Sequence, residues 1–106
     1  MSYRFMRIIV FFDLPTLTSS DRREYRKFRK FLISEGFIMM QESIYSKIAL
    51  NSTVANSIKS RVKKNKAKGG LIQLMTVTEK QYSAIEYVTG EKGGKVIDST
   101  SRMVVL

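Results

Sequence analysis

Residues 4–12, RFMRIIVFF, constrain the fold of this chain more than any other stretch. The run is short, rich in aromatic and β-branched residues, and closed by Pro15, the only proline, so it reads as a strand. Side chains alternate across a strand. Met6, Ile8, Val10 and Phe12 therefore share one face, and Phe5, Ile9 and Phe11 share the other with Arg7 and then Asp13. Both faces are largely apolar, which calls for a central strand covered on both sides. One carboxylate, Asp13, ends this most hydrophobic segment.

The remaining elements follow from periodicity and punctuation. Residues 19–35 read as a helix, with Thr18, Ser19 and Ser20 as N-cap candidates, Asp21 in the first turn and Gly36 as the stop. At about 100° per residue, Tyr25, Phe28, Phe31 and Leu32 fall on one stripe. GFIMM and SIYSKIAL read as two strands joined by a hairpin-like turn at Gln41 and Glu42. Asn51, Ser52 or Thr53 caps a second helix, with Val54, Ile58 and Val62 inside, Ala55 beside them, and Gly69 and Gly70 at its end. LIQLMTV reads as a fourth strand. A capping box, Thr78 with Gln81, opens a further short helix. RMVVL at the C-terminus reads as a fifth short strand.

The order β-α-β-β-α-β is that of an α+β, ferredoxin-like sandwich, with both helices on one face of a four-stranded antiparallel sheet. Residues 1–80 form this core, and residues 81–106 form an extension and a strand that packs on the dimer or on another partner. The open sheet face still needs cover, and a second copy of the chain is the simplest cover, so a homodimer is expected.

Composition narrows the chemistry. There is no Cys and no His, which removes disulfides, thiolate or His-ligated zinc, and the Ser-His-Asp and Cys-His nucleophile systems. Catalysis is left to carboxylates, Lys, Tyr, hydroxyls or a hard metal ion. The longest apolar run is too short to span a bilayer. The N-terminus superficially resembles a signal peptide but lacks a small-residue cleavage site, so a cytoplasmic location is expected. Net charge is +10, from 19 Lys and Arg against 9 Asp and Glu, which indicates a polyanionic partner.

Arg22, Arg23, Arg26, Lys27, Arg29 and Lys30 cluster on the helix face opposite the apolar stripe, with no acid among them. Arginine forks suit bidentate phosphate contacts. A solvated helix face is the alternative. A membrane surface would require an exposed apolar face beside the charge, and here that face is needed for the core. A second run, Lys59, Arg61, Lys63, Lys64, Lys66 and Lys68, reads equally as a nucleic-acid contact or as a complement to a helix C-terminus. Asp13 has two readings. It orders the connection to the helix as an Asx-turn, or it ligates a hard cation such as Mg²⁺. No second acid follows it closely, so a dimer that brings two Asp13 residues together would help the second reading. The aromatic residues read as core, since no RNA-recognition pattern of exposed rings is present.

FDLP at the end of the first strand, the basic helix RREYRKFRKFL, SEGF and QESIYSKI together resemble the CRISPR-associated protein 2 family, the small partner of the spacer-acquisition integrase. The specific wording runs from Arg7 to Leu50 and most resembles members from type II systems; the likeness continues more loosely to Leu106. The resemblance implies a ferredoxin-like homodimer that binds double-stranded DNA, with RNA as the other candidate, and that bridges subunits of CRISPR-associated protein 1, the integrase. It also implies a metal-dependent endonuclease activity using Mg²⁺ or Mn²⁺, with Asp13 as metal ligand and catalytic residue and Arg22 to Lys30 as the nucleic-acid-binding helix. Gln41, Ser43 and Tyr45 match the family's second-to-third strand pattern. A toxin-like ribonuclease and a non-catalytic nucleic-acid-binding module of the same fold remain as alternatives.

Overall fold

A computed structural model describes residues 5–90. Its strands are β1 (Met6–Asp13), β2 (Ile38–Gln41), β3 (Ile44–Ala49) and β4 (Leu71–Thr78), and its helices are α1 (Ser19–Ser34), α2 (Ser52–Lys64) and α3 (Glu79–Ser83). The strands form one sheet in the order β2-β3-β1-β4, with every neighbouring pair antiparallel. The apolar first strand is therefore central, as its two-sided pattern requires, and the α+β sandwich expected from the sequence is present.

The core lies between one sheet face and the two long helices. Ile8, Val10 and Phe12 of β1 point into it, with Tyr45 and Ala49 of β3, Phe28 and Leu32 of α1, and Ala55, Ile58 and Val62 of α2. The Phe12 ring sits in an aromatic cluster, edge-on to Phe28 at 5.3 Å and to Tyr25 at 5.9 Å, and 5.6 Å from Tyr45. Thr18 and Asp21 form a reciprocal capping box at the start of α1. Gly36, with φ +97°, takes the left-handed conformation that ends the helix. Thr78 and Gln81 form the same box on α3.

Three local expectations need correction. The hairpin turn lies at Glu42 and Ser43 rather than at Gln41 and Glu42, because an irregularity between Met39 and Gln41 carries Gln41 into β2 opposite Ile44. Ser43 takes the positive φ, 70°, that such a turn demands. In α2, Asn51 is the cap and Ala55 takes the buried position, while Val54 is exposed. The stripe is thus Ala55, Ile58 and Val62, the true i, i+3, i+7 series. Finally, α2 ends at Lys64 with Asn65 as C-cap, several residues before Gly69. The C-terminal strand at RMVVL lies outside the described residues.

The opposite sheet face carries Ile9 and Phe11 of β1. The register sets Ser46 and Met75 beside Ile9, and Ile44 and Gln73 beside Phe11. Ile38 lies across from Ser46, and Ile48 and Val77 flank Arg7. Ile38, Ile48, Leu71 and Met75 are between 46% and 69% exposed. Arg7 is accommodated on this face by α3. Its Nε donates to Glu79 Oε1 at 3.1 Å, its Nη2 to Glu79 Oε2, and its guanidinium lies 4.0 Å from the centre of the Tyr82 ring. The Glu79 hydrogen bond, outweighing partial burial, raises the Arg7 pKa further above its already high ordinary value.

Candidate nucleic-acid interface and carboxylate site

Asp13 is the last residue of β1 and is exposed, on the same face as Ile9 and Phe11. It borders a depression of about 230 Å³ at the end of the sheet, along with Phe11, Glu42, Ser43, Leu71 and Gln73. Three chain segments fix its position. Phe12 N donates to Ser43 O at 3.0 Å and ties the end of β1 to the hairpin turn. Leu71 pairs with Asp13 across the sheet. Gly70, with φ +85°, passes so close behind that a Cβ there would lie 2.6 Å from the Asp13 carbonyl oxygen and 3.0 Å from Leu14 Cα. The Gly69–Gly70 pair thus serves the approach of β4 to the carboxylate rather than the end of α2.

Glu42 lies too far along the chain for sequence spacing to link it to Asp13. It arrives from the hairpin turn instead. The β1–β3 register pairs Phe11 with Ile44, and continuing it by two residues sets Glu42 level with Asp13. Counting back from the hairpin, rather than forward from Asp13, is the signal that would have found it. Among the described residues no three His, Cys, Asp or Glu side chains come together. Two carboxylates beside an open depression offer hard oxygen donors only. That donor type fits Mg²⁺ or Mn²⁺, which take oxygen ligands and leave much of their sphere to water and phosphate.

The six cations of α1 are all exposed, but they are not equivalent. Arg22 Nη1 donates to the carbonyls of Thr16 and Leu17 at 3.1 and 3.0 Å, bracing the loop before the helix. Arg29 Nε donates to the hydroxyl of Tyr45 at 2.7 Å. Tyr45 is 2% exposed, and a buried phenol needs such a partner. Reading Tyr45 simply as core missed this link. The side chains of Arg23, Arg26, Lys27 and Lys30 make no hydrogen bond or ion pair with another described residue. Of the nearby acids, Glu35 is paired with Arg61 at 3.0 Å, while Asp21 and Glu24 accept only from the backbone N–H groups of Thr18 and, at 3.4 Å, Lys68, and keep their charge. Six cations against these two acids leave the outer face of α1 with net positive charge.

Comparison with known proteins now decides the family. The profile described as CRISPR associated protein Cas2 matches residues 6–85, which takes in every strand and helix among the described residues. The chain belongs to the Cas2 family. A Treponema denticola relative named CRISPR-associated endoribonuclease Cas2 is 50% identical over 101 residues, covering 95% of this chain and 100% of the relative. A relative of the same name from Streptococcus mutans serotype c (strain ATCC 700610 / UA159) is 50% identical over 101 residues, at 95% and 93% coverage. A third, from Ligilactobacillus salivarius, is 42% identical over 101 residues, at 95% and 100%. Asp13, Glu42 and the α1 cations all lie within the Cas2 match. No helix among the described residues is long and apolar enough to cross a membrane.

Proposed function

We propose that this chain is a cytoplasmic CRISPR adaptation protein: a homodimer that grips nucleic acid through α1, cleaves phosphodiester bonds at Asp13, and bridges integrase subunits while holding the duplex DNA of a new spacer. The observation that carries the reading is the placement of Asp13. It ends the central strand on the apolar, partly exposed sheet face, beside a depression shared with Glu42. The relatives' name, endoribonuclease, makes RNA the class of substrate for cleavage.

Each feature has a physical role. The apolar face packs against its counterpart in a second copy, leaving α1 outward on both sides. The extension of residues 81–106 serves the dimer or the integrase contact. Arg23, Arg26, Lys27 and Lys30, with Arg22 and Arg29 at the flanks, bind phosphates without reading bases. Asp13 and its symmetry mate would hold a Mg²⁺ or Mn²⁺ ion between them, with Glu42 beside the same depression. Such an ion would supply charge stabilisation to a phosphodiester under attack. The side chains lining the depression orient the substrate strand at its rim.

The binding half is tested by the salt dependence of affinity for a duplex DNA probe. For B-form DNA the slope of log K against log salt is about −0.9 per phosphate neutralised. Arg23→Gln/Arg26→Gln/Lys30→Gln is expected to reduce that slope by about 2 to 3 per protomer bound. An unchanged slope would show that the α1 face is merely solvated.

A further inference from the structure

The second cationic run acquires a shape in three dimensions that its sequence does not reveal. Lys64 and Lys66, from the C-terminal end of α2 and the residues after it, border a depression of about 130 Å³ together with Lys27 of α1. Lys66 and Lys63 also border a second depression, of about 390 Å³, against Ile72 and Leu74 of the edge strand β4. Lys66 belongs to both. The lysines therefore form a continuous track that starts on the α1 face at Lys27, crosses the end of α2 and reaches the outer edge of the sheet.

Complementing the α2 dipole explains Lys63 and Lys64, which lie in its last turn. It does not explain Lys66, which lies beyond the helix, or Lys27, which belongs to another helix. Internal pairing does not explain the track either. Glu24 also borders the smaller depression and keeps its charge, since it accepts only from the Lys68 backbone N–H, but it is one carboxylate against Lys27, Lys64 and Lys66, and Glu35 is held by Arg61. Asn65 Nδ2 donates back to Arg61 O. Lys27, Lys63, Lys64 and Lys66 have no ion pair with any described residue.

We propose that this lysine track is a second phosphate-binding surface, which receives the backbone of a nucleic acid as it leaves the α1 face. The proposal rests on the α1 binding reading above. It extends the footprint around the end of α2 towards β4, so a bound duplex is longer than one helix face requires. A lipid surface fits less well. The larger depression is apolar at its floor, but Val62 is buried and Ile72 and Leu74 are partly buried against the core, so its apolar surface is a recess beneath lysines and not a protruding face that could enter a bilayer.

The test uses the full chain and duplex DNA probes of increasing length, with affinity measured across a salt series. Lys63→Gln/Lys64→Gln/Lys66→Gln is expected to reduce the salt slope by about 2 to 3, at about 0.9 per lost phosphate contact. The loss should appear only with the longer probes. The corresponding Lys→Arg triple, which keeps the charge, is expected to retain the slope. Lys66→Gln alone, outside the helix, provides the same test at about one third of the size should the triple fail to fold. An unchanged slope with the Gln variants, alongside a reduced slope for the α1 triple, overturns the track and leaves the α1 reading intact. Wild-type binding that is indifferent to salt overturns both. Equal binding to phosphatidylserine vesicles, lost in the same Gln variants, overturns the choice of nucleic acid as partner.

Discussion

Replacing Asp13 with Asn is expected to lower RNA cleavage by about 100-fold or more while leaving the fold and nucleic-acid affinity almost unchanged. The change keeps the shape of the side chain and removes its charge. An oxygen ligand that helps hold a divalent ion contributes to several kcal/mol of charge stabilisation in the transition state. A loss of about 3 kcal/mol corresponds to about a 100-fold fall in rate. Asp13 is exposed and at a strand end, so its effect on stability should stay within about 0.5 kcal/mol. The α1 cations proposed to bind the backbone are untouched. Cleavage of a labelled RNA with Mg²⁺ or Mn²⁺ present, run beside thermal unfolding and binding, separates these effects. Persistent cleavage in Asp13→Asn would remove Asp13 from the reaction.

The largest effect on stability is expected at Phe12. Phe12→Ala empties the centre of the cluster formed by Tyr25, Phe28 and Tyr45, and Phe12 is only 5% exposed. Phe→Ala in a core costs about 3–5 kcal/mol, against a net stability of about 5–15 kcal/mol for a domain. The position also links core and site. Phe12 N bonds to Ser43 O, and Asp13 follows directly, so a shifted β1 end displaces the carboxylate from Glu42. Denaturant unfolding should show the lower midpoint, and cleavage should fall even where the variant remains folded. A midpoint equal to that of the wild type would mean that the aromatic cluster is not the keystone of the core.

How much of this was legible in the sequence depended on whether the deciding physics was local. The capping box at Thr78, the stop at Gly36 and the α1 stripe are set within a few residues, and pattern alone placed them, while the α1 cap was narrowed to Thr18, Ser19 or Ser20 and the structure selects Thr18. The central position of β1 was legible because a strand apolar on both faces has few other homes. The placement of Glu42 beside the same depression as Asp13 was not, since it depends on a register between strands and on a hairpin shifted by one residue. Gly70 looked like a helix stop, and only the approach of β4 to the Asp13 carbonyl reveals its use. Arg29 looked equivalent to its neighbours until the buried Tyr45 hydroxyl, far along the chain, required a donor. The lysine track depended on the packing of α2 beside α1 and β4, which no periodicity reports.

The proposal at the centre of this account is that Asp13 acts in pairs, across a dimer formed by the apolar sheet faces. Mixed dimers test it most directly. Wild-type and Asp13→Asn chains are unfolded together, refolded in varying ratio at constant total protein, and assayed for RNA cleavage. If one ion is held by two Asp13 carboxylates, only dimers with two intact chains cleave, and activity falls as the square of the wild-type fraction. An equal mixture then retains about one quarter of the activity, by random pairing at two sites. A linear fall, with an equal mixture retaining one half, would mean that each chain cleaves with its own Asp13 and would contradict the shared site.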